Sequence, residues 1–281
     1  MKRILIAGLC ALMLCGAGEL NAAAKKKNQT PKPQIESQWN GARVAFLGDS
    51  ITDQRQVESG TNETYCSLLP GILGITPYVY GISGRTMAEV VTQAQKLEEE
   101  RGQDIDAIFV FMGTNDYNHN IDMGEWFTYA EQSVEVSGPK QEVRLHREFN
   151  FDKMTFKGRI NIGMQYLKTH YPTKQIILLT PIHRAYFYWS PENIQPDEQY
   201  ANTKGLFIDD YVQAVKEAAD IWAVPVLDIY STSGLMPLLD EHHRYFRDNG
   251  GHDYLHPNTE GHRRIALTIA RQLTALPVKF E

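Results

Sequence analysis

"VAFLGDSITD", Val44 to Asp53, is the stretch on which the reading of this chain turns. Its apolar run ends in Gly48-Asp49-Ser50, and a second acid, Asp53, follows three residues after the serine. A short, continuous apolar run bounded by turn residues is what a strand buried on both faces looks like. Gly, Asp and Ser are ordinary turn residues. A hydroxyl presented at the end of a buried strand is also where a nucleophile belongs. The stretch alone leaves both readings open, and the segments that follow it decide between them.

From residue 43 onward, strand-like and helix-like segments alternate. "RVAFLG", "PYVYGI", "DAIFVFMG", "KQIILLTPI" and "VPVLDIY" are short apolar strands. Between and after them, "ETYCSLLPGIL", "TMAEVVTQAQKLEEER", "KGRINIGMQYLKTHY", "LFIDDYVQAVKEAADIW" and "NTEGHRRIALTIARQLTAL" read as helices. In the second, Met87, Val90, Val91 and Ala94 fall at helical spacing. Strands alternating with helices predict an α/β domain whose parallel sheet is covered on both faces. Two segments interrupt the alternation. Residues 117–150 form an insertion beside the expected site, with a β-hairpin in "SVEVSGPKQEVRLH". Residues 181–203 form a long aromatic loop of the kind that is usually functional or disordered.

The chain has 281 residues and a net charge of −6, so it lacks the basic field that attracts nucleic acid. Lys2 and Arg3, the apolar run Ile4–Ala17 and the small residues Ala22–Ala24 describe a secretory signal peptide over residues 1–24. Export to the periplasm or beyond is therefore expected, without stable membrane insertion once the leader is removed. A lipid anchor at Cys15 is the weaker reading, because the residue before that cysteine is a bulky leucine. Cys10 also lies in the leader, which leaves Cys66 alone in the mature chain, among apolar neighbours as a buried thiol would be. Residues 25–40 are polar and Pro-containing and read as a flexible linker, with one domain over 41–281.

In an open parallel sheet, ligands bind beyond the carboxyl ends of the strands. Those ends supply Ser50, then "GISGRT" with Gly84, then "GTNDY" with Asn115, then "HDYLHPN" with Asp253 and His256. Nucleophile, backbone and amide donors, base and orienting carboxylate are the parts needed for acyl transfer. Each has an ordinary alternative as cap, turn or surface residue, and it is their conjunction on one sheet edge that argues for chemistry. His252 and His256 also mimic a zinc pair spaced by four. That pair needs a helix through both histidines, and Pro257 disfavours helical backbone at His256. No metal and no cofactor are expected.

The four blocks "GDSIT", "SGRT", "GTND" and "DYLHPNTEGH", in that order, resemble the SGNH hydrolases, also called GDSL-type esterases and lipases, over residues 43 to about 275. The resemblance implies a flavodoxin-like, three-layer α/β/α sandwich with about five parallel strands. It implies Ser50 as nucleophile, His256 as base and Asp253 as its orienter. The backbone N–H groups of Ser50 and Gly84 and the side-chain amide of Asn115 would form the oxyanion hole. Asp49 would fix the turn, and Asp116 the loop that presents Asn115. Tyr117, Tyr186, Trp189 and Tyr254, with Trp126 nearby, are candidate substrate contacts. The aromatic loop suits an acyl pocket, a sugar-stacking platform or plain packing. The expected activity is an exported serine esterase acting on a small-molecule or glycan ester, most simply a saccharide acetate. A lysophospholipase or thioesterase and a silent glycan-binding protein are the alternatives. Oligomeric state is not legible.

Overall fold

The computed structural model describes residues 37–55, 63–138 and 140–279. The expected leader, and the expected linker up to residue 36, lie outside them. The elements run β1 (Arg43–Gly48), α1 (Tyr65–Leu73), β2 (Thr76–Val79), α2 (Val90–Arg101), β3 (Ala107–Phe111) and α3 (Thr114–Asn118). Then come β4 (Phe127–Glu135), β5 (Gln141–Phe149), α4 (Phe156–His170), β6 (Gln175–Leu179), β7 (Phe187–Ser190), β8 (Asn193–Gln195) and α5 (Ile208–Trp222). The chain closes with β9 (Val226–Leu227), α6 (Ile229–Thr232), β10 (Phe246–Asp248), β11 (Asp253–Pro257) and α7 (Thr259–Leu273).

Five strands form a parallel sheet in the order β2-β1-β3-β6-β9. Successive residues of a strand point to opposite faces, so the unbroken apolar runs feed two cores. Phe46 pairs in register with Phe109, and Phe109 with Ile177. These side chains join Tyr65, Leu69, Ile265 and Ile269 of α1 and α7 on one face. Their neighbours Leu47, Ile108 and Leu178 join residues of α2, α4 and α5 on the other. The expected three-layer sandwich with five parallel strands is what forms. Among the described residues no helix is long and apolar enough to cross a membrane.

Three expectations change in detail. The linker ends earlier than residue 40. Trp39 is fully buried, its indole Nε1 donates to the carbonyls of Leu273 (2.9 Å) and Leu276 (3.0 Å), and its ring meets the edge of Phe109. The aromatic loop is partly a hairpin: β7 and β8 join β11 and β10 in a second, four-stranded sheet ordered β10-β11-β7-β8. The hairpin expected in the insertion does form, in nine register pairs from Phe127↔Phe149 to Glu135↔Gln141. Its base is tied to the domain by Phe149 stacked on Trp222 (4.3 Å) and by Asn161, which donates to the carbonyls of Trp126 and Asn150. The rest of the ribbon is mostly exposed, and none of the described residues of 117–150 lines the cleft at the sheet's carboxyl edge.

Candidate active site

Ser50 sits on a turn that only glycine permits at its start. A Cβ on Gly48 would lie 2.1 Å from the Thr52 hydroxyl oxygen, so the chain can fold back over Thr52 only with hydrogen there. The buried Gln93 amide grips this strand end, accepting from the Gly48 N–H (2.8 Å) and donating to its carbonyl (2.9 Å). Asp49 closes the turn: its carboxylate accepts the Ile51 N–H at 2.9 Å, and its carbonyl accepts the N–H groups of Thr52 and Asp53. The Ser50 Oγ thereby comes to 2.9 Å from Nε2 of His256.

His256 lies on β11, immediately before α7, which Asn258 caps by accepting the N–H groups of Glu260 and Gly261. Its Nδ1 faces both carboxylate oxygens of Asp253, at 3.0 and 3.1 Å. Asp253 also accepts the backbone N–H of His256 at 2.9 Å, which locks the short segment Asp253–His256 into one geometry. A proton on Nδ1 toward the carboxylate leaves the Nε2 lone pair to accept the serine O–H. The edge of Phe187 packs on the imidazole at 4.9 Å. Since 253–257 is an extended strand, the helix required by a zinc pair at His252 and His256 is not there.

The donors expected for an oxyanion line the same cleft, of about 440 Å³. Gly84 occupies the third position of a tight turn closed by the Arg85 N–H on the Ile82 carbonyl, with φ +76°, where glycine is favoured. That turn is pinned by Asp53, whose carboxylate accepts the Ser83 N–H (3.0 Å) and hydroxyl (2.9 Å). The second acid of the opening stretch is thus the support of the Gly84 turn, a role the sequence did not suggest. Arg55 grips the same carboxylate through Nε (2.9 Å) and Nη2 (2.7 Å). Burial alone would raise the Asp53 carboxyl, but these hydrogen bonds outweigh it and hold the group low. Asn115 lies in the first turn of α3, and one N–H of its amide donates to the Arg85 carbonyl at 2.9 Å, which fixes where the other points. Asp116, fully buried, accepts the Met87 N–H and an Arg159 N–H and so holds the Asn115 loop, as expected.

Burial, reinforced by the nearby Asp116 carboxylate, pushes the Asp49 carboxyl up to about 7, against the pull of the Ile51 N–H. In the unfolded chain the same group ionises near pH ~3.9. The folded state therefore holds a proton that the unfolded state has released. Its stabilising effect is complete below pH ~4 and is lost as pH rises toward about 7. Asp49→Asn, whose side-chain oxygen can still accept from Ile51, escapes that loss. Its Tm relative to the wild type is expected to climb between pH ~4 and ~7 and then level off. A Tm difference that stays flat across this range in thermal melts would contradict the assignment.

Of the expected aromatic contacts, Trp189 alone lines the cleft, and it is 74% exposed. Tyr117 is buried elsewhere, donating its hydroxyl to the Tyr200 carbonyl beneath the Arg184 guanidinium. Tyr254 stacks on His243 at 3.6 Å and donates to Asp248. Tyr186 is excluded by strand alternation: Phe187 and Trp189 turn to the cleft, and the residue before each turns away. Trp126 donates to Glu217, away from the cleft. Arg55, Asn193, Gln195, Arg247 and Asn249 line the cleft, and sequence reasoning missed them all.

A buried hydroxyl–imidazole–carboxylate chain at the carboxyl edge of a five-stranded parallel sheet has the geometry that nucleophilic acyl transfer requires. The chain belongs to the GDSL-like lipase/acylhydrolase family, whose model matches residues 46–264, a family of the SGNH hydrolase fold. No curated protein matches it. Among solved structures it is similar to a protein from Lactobacillus plantarum at 24% identity and TM-score 0.63, covering 84% of this chain and 98% of that one. A possible lipase from Chitinophaga pinensis matches at 19% identity and TM-score 0.62, covering 84% and 99%. A member of the lipolytic G-D-S-L family from Veillonella parvula matches at 16% identity and TM-score 0.52, covering 83% and 99%. These likenesses concern the fold. Family membership supports carboxylic ester hydrolysis.

Proposed function

We propose that the protein is an exported serine esterase that removes acetyl groups from a saccharide. The observation that carries the catalytic part is the continuous chain from Ser50 Oγ through His256 to Asp253, opening on the cleft that Gly84 and Asn115 line. Ser50 attacks the ester carbonyl as His256 takes its proton. The oxyanion gathers hydrogen bonds from the Ser50 and Gly84 N–H groups and the Asn115 amide. His256 then protonates the leaving sugar hydroxyl, and water, activated by the same imidazole, releases acetate. Asp253 keeps the imidazole oriented through its contact with Nδ1. The proposed steps call on no metal and no cofactor.

The saccharide reading rests on the leader-like N-terminus and on the lining of the cleft. Trp189 offers a flat apolar face at the mouth, and Asn193 and Asn249 offer amide groups suited to sugar hydroxyls. The apolar wall is short, with Phe187 and Leu255 beside His256. A long acyl pocket would gain ~0.8 kcal/mol for each buried CH₂. Among aryl esters, acetate is therefore expected to be cleaved with the highest kcat/KM. Trp189→Ala is expected to raise KM for an acetylated oligosaccharide and to change kcat little. Octanoate cleaved faster than acetate would favour the lipid or thioester alternative. No turnover of any aryl ester would favour a silent binding protein.

A further inference from the structure

The ribbon of β4 and β5 is a sheet without a cover. Each strand has nine residues, which makes the ribbon roughly 30 Å long. Among the described residues β4 and β5 pair only with each other, and a two-stranded sheet on its own is marginal in water. Alternation along the register pairs puts Phe127, Tyr129, Val143, Leu145 and Phe149 on one face. At the base that face is packed, with Phe149 on Trp222. Farther out it is bare: Tyr129 is 61% exposed, Val143 68% and Leu145 70%. An apolar row that outruns the domain beneath it marks an interaction surface. The two edges of the ribbon differ in charge. β4 carries acids alone, Glu131 and Glu135, and an edge of one sign repels its own copy. β5 carries both signs in the run Glu142-Val143-Arg144-Leu145-His146-Arg147-Glu148. A groove of about 810 Å³ flanks the base of that strand, with Phe149, Phe151 and Ile221 among its lining.

We propose that two copies of this chain join through β5, edge to edge and antiparallel, into one four-stranded sheet ordered β4-β5-β5-β4. The pairing is isologous, so each contact occurs twice about a two-fold axis. The antiparallel direction sets the two domains at opposite ends of the joint sheet. Charge selects the register, because directly opposed residues share a face and interact across the strands. With His146 opposite the partner's His146, Glu148 stands opposite the partner's Arg144, and Arg144 opposite the partner's Glu148. Both side chains are well exposed, Arg144 at 60% and Glu148 at 68%. Within the ribbon they face uncharged residues of β4, Gln132 and Thr128. On the other face Val143 stands opposite the partner's Phe149, where the apolar groove begins. Other registers serve less well. Centring on Leu145 sets Glu142 against the partner's Glu148, and centring on Arg144 or Arg147 sets that arginine against its own copy. Centring on Val143 matches charges but pairs only residues 141–145 of the strand and leaves the groove unfilled.

The test is the mass of the protein in solution, by sedimentation equilibrium at about 100 μM, on the order of a hundredfold above a micromolar Kd. A dimer is expected. Arg144→Glu and Glu148→Arg each set like charges together at two symmetric places, and each should weaken the dimer by at least about tenfold in Kd. Neither position lines the cleft or faces a charge on β4, so far-UV circular dichroism and aryl acetate turnover should stay as in the wild type. An equimolar mixture of the two variants should recover a dimer, because one copy of each again presents opposite charges at both places. A monomeric wild type would overturn the proposal. A wild-type dimer that both variants leave intact would put the interface on another surface and overturn it as well. Two monomeric variants that stay monomeric when mixed would overturn the pairing of Arg144 with Glu148, and with it the register.

Discussion

Replacing Ser50 with alanine is expected to lower kcat on an aryl acetate by about 10⁴–10⁶-fold, the scale seen when a serine hydrolase loses its nucleophile. The substitution removes one oxygen, whose hydrogen-bond partner is Nε2 of His256. The turn that presents it has separate supports in Gly48 against Thr52, the Gln93 amide and the Asp49 carboxylate. Thermal stability should therefore change little, and the loss will not be a folding defect. The cleft holds a second serine, Ser83, which makes the site of covalent labelling informative. Ser83 donates its hydroxyl to Asp53, a carboxylate held low by Arg55, in a bond that serves the Gly84 turn. Ser50 alone of the two faces an imidazole. A serine-directed phosphonate should leave its adduct on Ser50, as mass spectrometry of the labelled peptide would show. An adduct on Ser83, or retained turnover in Ser50→Ala, would remove Ser50 from the proposed role.

Much of the fold could be read from the chain because buried parallel strands leave a simple trace. Val44–Leu47, Ile108–Phe111 and Ile176–Leu179 serve cores on both sides, so nearly every position is apolar and the runs stand out. The second sheet left no comparable trace. β7, β8 and β10 have three or four residues each, too few to display a period, and their partner β11 ends in proline. Trp39 was hidden for another reason: it is one aromatic side chain in a polar segment, and its burial depends on the end of α7, more than two hundred residues away.

The proposed catalytic groups were legible because Ser50, Gly84 and Asn115 come soon after strands of the parallel sheet, while Asp253 and His256 stand together in one short motif, although that motif proved to be a strand of the second sheet. The cleft wall was not, because it depends on which way side chains turn in short irregular segments. Tyr117, Tyr186 and Tyr254 share composition with Trp189, but alternation and local hydrogen bonds direct them elsewhere. Asp53 and Arg55 lay in plain view beside Ser50. Their function becomes apparent only when the Ser83–Gly84 turn, thirty residues later, is seen to rest on that carboxylate.

Asn115→Ala is expected to lower kcat by about 10²–10³-fold with KM nearly unchanged, the cost of losing one preorganised donor to a developing oxyanion. The split between the two constants is the informative part. A ground-state contact to the neutral ester would appear in KM, whereas a donor placed for the negative oxygen strengthens only as the tetrahedral intermediate forms. The amide is held for this by the Arg85 carbonyl, which takes one of its two N–H groups and leaves the other directed by the planarity of the amide. The helix that carries it is fixed independently, since Asp116 binds the Met87 N–H and Arg159 whether or not residue 115 bears an amide. Asn115→Ala should thus keep α3 in place while removing the oxyanion donor together with the bond to the Arg85 carbonyl. Asn115→Asp is the sharper variant: it keeps the size of the side chain but loses the N–H that the Arg85 carbonyl accepts and sets a carboxylate beside the place where negative charge develops. Its kcat should fall at least as far as that of the alanine variant. A rise in KM with kcat intact in either variant would make Asn115 a substrate-binding residue and leave the oxyanion to the backbone N–H groups of Ser50 and Gly84.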